Sequence, residues 1–462
     1  MQPAPVSPGS PVSPPPPPVA APAAVGRREA FAFWLRLGFI SFGGPAGQIA
    51  IMHQELVERR RWISERRFLH ALNYCMLLPG PEAQQLATYL GWLLHRTWGG
   101  IVAGALFVLP SLLIMIALAW LYLAFGDLPL VAGLFHGVKP AVAVIVLHAA
   151  HRIGGRTLRH PLAWGIALAA FLATILHWPF PVIVAAAALA GWLGSRTWPD
   201  AFAPTVHAPS ASHAHGHAPA VIDDDTPVPA HAVFRWPRLL GVLLAGLMLW
   251  LAPMAVLTAI WGWQGTLTQM GWFFTTAALM TFGGAYAVLP YVWQGAVLHH
   301  GWVTPTQMMD GLALGEATPG PLIMLVAFVA FIGGYVAEVF GPEQRVLAGA
   351  LAALLVTWFT FLPSFLFILA GGPLVERTRD DLRLTAPLAA ITAAVVGVIV
   401  SLALFFARHV FWPDVAGGRF DVAAAAIALL AAVALFRYRR GVLEVVAASA
   451  VAGLLLAAAS PA

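Results

Sequence analysis

Two short Gly/Pro motifs each occur twice in this chain, at one fixed separation. Residues 42–45 read Phe-Gly-Gly-Pro, and residues 282–285 read Phe-Gly-Gly-Ala. Residues 78–81 read Leu-Pro-Gly-Pro, and residues 318–321 read Thr-Pro-Gly-Pro. The members of each pair lie 240 positions apart, so the two copies align from one motif to the other without a gap. This spacing predicts a duplicated structural unit, with the active centre where the two copies meet.

The composition is that of a protein embedded in a membrane. Hydrophobic residues occupy 60% of the 462 positions, charged residues occupy 10%, and the mean hydropathy is +0.80. Soluble domains contain about 25% charged residues. The long apolar runs therefore predict an all-α polytopic membrane protein. We expect the net charge of +5 to set topology rather than to bind nucleic acid, and the single cysteine excludes an intramolecular disulfide or thiolate metal cluster.

Composition divides the chain into four regions. Residues 1–26 form a Pro-rich tail that we expect to be disordered, and residues 196–236 form a linker rich in Pro, Ala and His. Regions 27–195 and 237–462 are the predicted N-terminal and C-terminal transporter repeats. Their thirteen apolar segments are 31–50, 68–95, 98–125, 130–150, 161–177, 179–195, 238–260, 270–296, 310–337, 345–370, 384–407, 420–436 and 441–458.

The order of these segments predicts an inverted repeat. The Gly-Gly motif lies in the first segment and again in the eighth, so its two copies have opposite orientations, as in many secondary transporters. Five arginines between residues 59 and 67 fit the positive-inside rule poorly if every segment spans the membrane. They fit well if the motif segments are broken or re-entrant helices, which we favour over full spans kinked at Pro. Both topologies place the N-terminus in the cytoplasm and the C-terminus outside.

The glycines and prolines of the motifs predict helix interruptions that suit an anion. Glycine adopts backbone conformations closed to other residues, and Pro disfavours helix before it but suits the first turn after it. Each motif then starts a half-helix whose free N–H groups form an anion site. Simple kinking with close packing is the alternative. The substrate-binding candidates are Ser41, Gly43, Gly44, Pro45, Gln48, Pro79, Gly80, Pro81, Gln84, Gln85, Thr281, Gly283, Gly284, Thr318, Pro319, Gly320 and Pro321.

Charged residues within the apolar segments are further candidates, because intramembrane charges usually serve function. Arg36 lies seven residues before Gly43 and is a candidate substrate ligand. Lys139 is a candidate charge within the fourth segment, unless it lies near a helix end and reaches the interface. Glu82 and Glu316 flank the Pro-Gly-Pro motifs and are candidate proton-coupling groups, with solvated or paired carboxylates as the alternative.

The linker is rich in histidine, but we predict no metal site there. We expect no ordered frame around these side chains, so we interpret them as incidental composition. No flavin, haem, iron–sulfur or Walker motif is evident, and we therefore predict neither a cofactor nor an enzyme. The linker histidines are His207, His213, His215, His217 and His231.

The motifs also resemble those of the chromate ion transporter (CHR) family, in its long-chain, two-domain form. The matching residues are 37–45, 62–63, 77–82, 109–111, 282–284, 316–321 and 362–364. The resemblance implies a carrier that exports chromate, a tetrahedral dianion, across the inner membrane. Sulfate is the alternative substrate, and a membrane-bound chromate reductase or a passive channel are alternatives of other classes. The sequence leaves the oligomeric state open, with a homodimer as one alternative.

Overall fold

The computed structural model describes residues 24–126, 128–197, 220–224, 226, 229, 231–282, 284–375, 385–413 and 418–459. These residues are almost entirely helical, and no β-strand occurs among them. Most of the predicted Pro-rich tail and much of the predicted linker therefore lie outside the described residues.

Sixteen α-helices lie in the described part of the chain, seven in its first half and nine in its second half. The first half contains α1 (Arg27–Ile40), α2 (Gly44–His53), α3 (Glu65–Leu77), α4 (Glu82–Phe125), α5 (Pro129–Thr157), α6 (Pro161–Ile175) and α7 (Phe180–Thr197). The second half contains α8 (Trp236–Trp261), α9 (Thr266–Leu279), α10 (Ala285–Trp293), α11 (Pro305–Ala317), α12 (Leu325–Val336), α13 (Arg345–Val375), α14 (Thr385–Phe411), α15 (Val422–Ala432) and α16 (Val442–Ala459).

Several of these helices are long and apolar enough to cross a membrane. Among the described residues, α4, α5, α8, α13, α14 and α16 meet this criterion, and α6, α7, α12 and α15 are shorter apolar helices. The exposed surface carries many large apolar side chains, as expected of helices that face lipid. The all-α polytopic membrane fold predicted from composition is confirmed.

Helix α4 consists of two antiparallel arms joined by a tight turn. Residues 95–96 leave the helical conformation, with φ and ψ of −133° and 31° followed by 59° and −158°. Across this turn Gly91 faces Gly99, and Gly100 faces Thr88. Because glycine has no side chain, the two arms approach each other at backbone distance. In the second half, the separate helices α12 and α13 form the corresponding antiparallel pair.

Both motif segments of the first half return to the end of the bundle from which they started. Nε2 of His95, at the α4 turn, lies 2.9 Å from the carbonyl oxygen of Val25, which precedes α1. The ring of Trp62, between α2 and α3, lies 5.0 Å from the ring of Phe33 in α1. Trp62 and Leu90 also line one small apolar cavity. The start of α1, the α2–α3 loop and the α4 turn therefore share one end of the molecule.

The second half repeats this arrangement around Trp302. The ring of Trp302 lies 5.5 Å from that of Phe273 in α9, a pair displaced by 240 positions from the corresponding pair of the first half. Gly333, near the end of α12, packs against both Trp302 and Met270 of α9. The start of α9, the α10–α11 loop and the end of α12 therefore also lie together.

A six-helix body combines α5, α6 and α7 of the first half with α14, α15 and α16 of the second half. Small residues allow the close crossings: Gly137 of α5 packs against Gly453 of α16, and Gly191 of α7 packs against Ala390 of α14. Gly397 of α14 packs against the backbone of α6. Close contact between small residues is a common way for membrane helices to associate.

Part of the predicted linker packs against the first half. Ile222 forms a parallel bridge with Ile63, its N–H donates to the carbonyl of Trp62 at 3.1 Å, and its carbonyl accepts from the N–H of Ser64 at 3.0 Å. The hydroxyl of Ser64 donates to Oδ1 of Asp224 at 2.6 Å. Ile222 is buried among apolar side chains of the first half. We call residues 220–224 the linker strap.

The strap continues into further contacts near α8. Nε2 of His231 lies 2.9 Å from the carbonyl oxygen of Trp92, and the two rings meet edge to face. A guanidinium nitrogen of Arg67 donates to the carbonyl of Thr226 at 2.5 Å. The expectation of no ordered frame is therefore wrong for His231, because its ring contacts Trp92 of the first half. The other four linker histidines lie outside the described residues.

Candidate functional site

The Gly/Pro motifs separate helices at glycines with positive φ. The φ angles are 85° at Gly43, 125° at Gly80, 97° at Gly284 and 104° at Gly320. Helices α2, α4 and α10 begin one or two residues after the first three, and a short 3₁₀ turn begins at Leu322 before α12. Non-glycine residues are strained at such angles, which explains why glycine occupies these positions. We call the Gly-Gly and Pro-Gly-Pro motifs around these four glycines the tips.

The tips of the two halves are joined by a reciprocal pair of backbone hydrogen bonds. The N–H of Gly80 donates to the carbonyl of Thr281 at 2.7 Å, and the N–H of Gly320 donates to the carbonyl of Ser41 at 2.8 Å. Both donors and both acceptors are related by the 240-position offset. Each Gly-Gly motif therefore contacts the Pro-Gly-Pro motif of the other half, and the glycine N–H groups are occupied in this conformation.

Two buried glutamines hold the tips through their amides. Nε2 of Gln48 donates to the carbonyl of Gly320 at 2.5 Å and approaches the carbonyl of Ser41 at 3.3 Å. Nε2 of Gln85 donates to the carbonyl of Pro79 at 2.8 Å. The Oε1 atoms of both glutamines are buried and have no hydrogen-bond partner among the described residues. These oxygens accept rather than donate hydrogen bonds, so an anion would require the amides to turn.

Serines of the two Leu-Pro-Ser motifs lie directly against the tip glycines. A Cβ atom at Gly320 would lie 2.5 Å from Cβ of Ser111, and one at Gly80 would collide with Oγ of Ser364. Ser111 belongs to the first half and Ser364 to the second, so these contacts also cross between halves. Oγ of Ser111 is buried without a hydrogen-bond partner in the described structure. Both serines belong to motifs that resemble the family, but neither was predicted to lie at the site.

The predicted hydroxyl donors bind their own helices in this conformation. The hydroxyl of Ser41 donates to the carbonyl of Leu37 at 2.6 Å, and that of Thr281 donates to the carbonyl of Ala277 at 2.7 Å. Thr318 makes a longer bond, 3.3 Å, within its own turn. These bonds satisfy carbonyls exposed where the helices end.

The two predicted carboxylates occupy different environments. Glu316 is buried, and its Oε1 accepts a hydrogen bond from the hydroxyl of Tyr286 on α10. Glu82 is half-buried at the start of α4, and its Oε1 lies 3.9 Å from where a Cβ of Gly284 would be. Both carboxylates therefore lie beside the tips. Tyr286 was not predicted, because nothing in the sequence distinguishes it from other aromatic residues of apolar helices.

Lys139 pairs with a carboxylate that the sequence analysis missed. Its Nζ lies 3.5 Å from Oδ1 of Asp310 on α11, and Asp310 is only 2% exposed. Oδ2 of Asp310 accepts from the hydroxyl of Tyr122 at 2.9 Å. The available signal was a second acidic residue in the apolar segment 310–337, six positions before Glu316.

The remaining candidates differ in how close they lie to the tips. Arg36 is exposed on the outer face of α1, next to the exposed Phe39. Pro45 is half-buried at the start of α2, and the amide of Gln84 binds Oγ1 of Thr88 at 3.0 Å within α4. Gly283 lies outside the described residues. The prolines Pro81, Pro319 and Pro321 are buried at the tips.

The fold and the site together indicate a class of membrane protein. The chain is a polytopic helical membrane protein with two repeated halves whose interrupted helices meet at a buried polar centre, the architecture of many membrane transporters. The chain belongs to the chromate transporter family, because the family model described as "Chromate transporter" matches residues 28–192 and 268–454. The two matched regions fall within the two halves and omit the linker and all of α8.

Curated relatives support the same assignment. The chain is 33% identical over 443 residues to a "Chromate transport protein" of Pseudomonas aeruginosa, and this alignment covers 95% of this chain and 94% of the relative. It is 28% identical over 428 residues to a "Chromate transport protein" of Cupriavidus metallidurans, covering 89% and 88%. A "Probable chromate transport protein" of Synechococcus elongatus is 28% identical over 380 residues, covering 82% and 84%. No solved structure matches the chain.

Proposed function

We propose that this protein is a secondary transporter that exports chromate across the inner membrane. Family membership supports the substrate class. The reciprocal bonding of the tips, Gly80 to Thr281 and Gly320 to Ser41, is the observation that carries the mechanism. When the halves separate at this contact, two N–H groups and two adjacent half-helix starts become free for a dianion.

The charge of chromate favours export without ATP. The cytoplasm is electrically negative, and moving one charge through 100 mV is worth about 2.3 kcal/mol, or roughly 4.6 kcal/mol for a dianion. This free energy supports a concentration gradient of more than about a thousandfold. Exchange with protons or with another anion is compatible with the same structure. Glu82 and Glu316, which lie beside the tips, are the candidate groups for coupling to protons.

The proposed topology places the shared end of the first-half hairpins in the cytoplasm. This end carries the arginines of the α2–α3 loop, and the positive-inside rule favours it there. The corresponding loop of the second half, residues 299–304, contains neither Lys nor Arg and would face outside. The N-terminus is then cytoplasmic and the C-terminus external.

Uptake of radiolabelled chromate into everted membrane vesicles energised by respiration tests the proposal. We expect uptake that an uncoupler abolishes, and excess sulfate should compete because it has the same charge and shape. Sulfate uptake without chromate uptake would replace the substrate and retain the carrier. The absence of both, with correctly inserted protein, would overturn the transport proposal. A visible absorbance spectrum of purified protein would test the reductase alternative, which requires a bound redox cofactor.

A further inference from the structure

The ion pair between Lys139 and Asp310 contains a residue type that is rare in this chain. The sequence contains 24 arginines and one lysine, and that lysine lies within α5, a membrane-spanning helix by length and composition. Lysine differs from arginine because it is a compact charge that gives up its proton or its partner more readily. Its counterion, Asp310, is almost completely buried.

The geometry leaves this pair loosely connected. Oδ2 of Asp310 is held by the hydroxyl of Tyr122 at 2.9 Å, whereas Oδ1 lies 3.5 Å from Nζ of Lys139 and makes no hydrogen bond in the described structure. A buried charge pair is stabilising only when close contacts replace the lost hydration. A loosely bonded ion pair in an apolar environment therefore contributes little to the stability of the fold, and it is better suited to a change of bonding partner.

The pair also connects the two halves near the tips. Tyr122 and Lys139 belong to α4 and α5 of the first half, whereas Asp310 belongs to α11, which leads into the Pro-Gly-Pro tip of the second half. Asp310 precedes Thr318 by eight residues, about 12 Å along a helix. Any change in the charge of Asp310 therefore acts on the element that positions this tip.

We propose that Lys139 and Asp310 form a proton-coupled anion station, in which protonation of Asp310 releases Lys139 to bind the transported oxyanion. When the oxyanion leaves, Asp310 gives its proton to water and pairs with Lys139 again. The proton and the anion are therefore bound together and released together, which is cotransport in one direction rather than exchange, and no covalent step is involved. This inference rests on the proposed function and adds a site and a coupling ion to it.

Within the described ranges, the side chains bonded to Asp310 come from two other helices. Its direct neighbours are Lys139 on α5 and Tyr122 on α4, and Tyr122 also packs against the ring of Phe328 on α12. One turn before Lys139, His136 pairs with Asp421 at 3.4 Å. Glu316 lies further along α11 with its own partner, Tyr286, and Glu444 of α16 pairs with Arg440 at 3.7 Å.

Two transport assays in everted vesicles separate coupling from anion movement. The first measures chromate uptake driven by an imposed pH gradient, acidic outside the vesicles so that protons and chromate enter together, and the second measures exchange of labelled for unlabelled chromate at equal pH. We expect Asp310→Asn to retain exchange and to lose the stimulation by the pH gradient. Lys139→Met should lose both, because the anion loses its positive partner. Glu338→Gln, which neutralises a carboxylate paired with Arg345 at the surface, is the matched control and should behave like wild type.

The outcomes distinguish this inference from the proposed function. Retained pH stimulation in Asp310→Asn, or wild-type exchange in Lys139→Met, would overturn the station. Wild-type protein that exchanges chromate without any pH dependence would overturn it too, while leaving the transporter intact. If Asp310→Asn fails to fold, Asp310→Glu replaces it: a displaced pH profile of uptake supports the proposal, and an unchanged profile contradicts it. No transport of chromate or sulfate by wild type would instead remove the proposed function itself.

Discussion

The two halves carry equivalent tips, but they differ in how far those tips are buried. In the first half Gly44, Pro45 and Pro79 are half-buried, whereas the residues 240 positions later, Gly284, Ala285 and Pro319, are buried. Helix α10 packs its Trp293 ring 4.5 Å from Phe405 of α14. In its counterpart α2, the buried side chains among those described are Gln48 and Met52.

From this difference we predict that the first-half end of the molecule is open to water in this conformation and that the second-half end is closed. Alternating access requires two such end states, related by exchanging the roles of the two halves. Helix α10 of the second half packs against α14 and α7 of the six-helix body, whereas the equivalent α2 of the first half packs against α4. We infer that the described conformation gives access from the end where α1 begins.

The largest expected effect comes from filling the contact between tips. Gly320→Ala places a methyl group 2.5 Å from Cβ of Ser111 at a φ of 104°. Backbone strain of about 1–3 kcal/mol and overpacking of about 1–3 kcal/mol add at this position. We therefore expect folded Gly320→Ala to lose most chromate uptake, measured in everted vesicles per folded protein.

A matched control separates collision from strain. Gly301 also has positive φ, 62°, but a side chain there would meet nothing within 4 Å. Gly301→Ala should therefore keep near wild-type uptake. Equal uptake by the two variants would show that the tip contact has no role in transport. Ser111→Gly should partly restore Gly320→Ala, because it removes the colliding side chain.

The next test compares two equivalent positions directly. Asn73 of α3 is exposed, and Ala313, 240 positions later on α11, is buried. In a Cys75→Ala background, we expect a water-soluble maleimide to label Asn73→Cys far faster than Ala313→Cys. Slow labelling at both positions would place Asn73 against lipid instead of water and would remove the evidence for an open end. Faster labelling of Ala313→Cys would reverse the comparison.

A smaller effect is expected where the halves differ in chemistry. Glu316 accepts from Tyr286 in the second half, whereas Met76 occupies the position equivalent to Glu316 in the first half. Tyr286→Phe leaves a buried carboxylate without its donor, at about 1–3 kcal/mol. We expect reduced thermal stability of purified protein and slower uptake. Tyr438→Phe, at an exposed tyrosine, should change neither, and equal behaviour of both variants would assign Glu316 no role.

The smallest effect is expected at Arg36. The equivalent second-half residue is Thr276, so Arg36→Thr gives the first half the side chain of the second. Arg36 is exposed and close in sequence to the more open tip. If it attracts the anion, the variant should raise the apparent KM for chromate and leave the maximal rate unchanged. An unchanged KM at low salt, where surface charges act most strongly, would restrict Arg36 to a role at the protein surface.

Much of the fold follows from periodicity and from Gly and Pro. The predicted boundary between segments 68–95 and 98–125 coincides with the turn at His95 and Arg96, because charge and glycine interrupt the apolar run there. The positions of the tips also follow from the sequence, since positive φ restricts them to glycine. These are local signals, and local signals are readable without a structure.

The hydrogen bonds between the tips could not be predicted from the sequence. Nothing in the sequence near Gly80 indicates that its N–H binds Thr281, because that contact depends on how two distant hairpins pack. Asp310 was missed for a related reason: it is the first residue of its apolar segment, and it becomes informative only when Lys139 is found opposite it. Roles that depend on partners far apart in sequence require the fold.

The linker strap determines where this chain can be divided into two polypeptides. Its backbone bonds to Trp62 and Ser64 tie residues that precede α8 to the first half of the protein. A break introduced before residue 220 would leave the strap attached to the second polypeptide, where it would act as a built-in handle for reassembly with the first. A break after Thr226 would leave that handle on the first polypeptide, and the two pieces would have to reassemble through their membrane helices and the contact of His231 with Trp92.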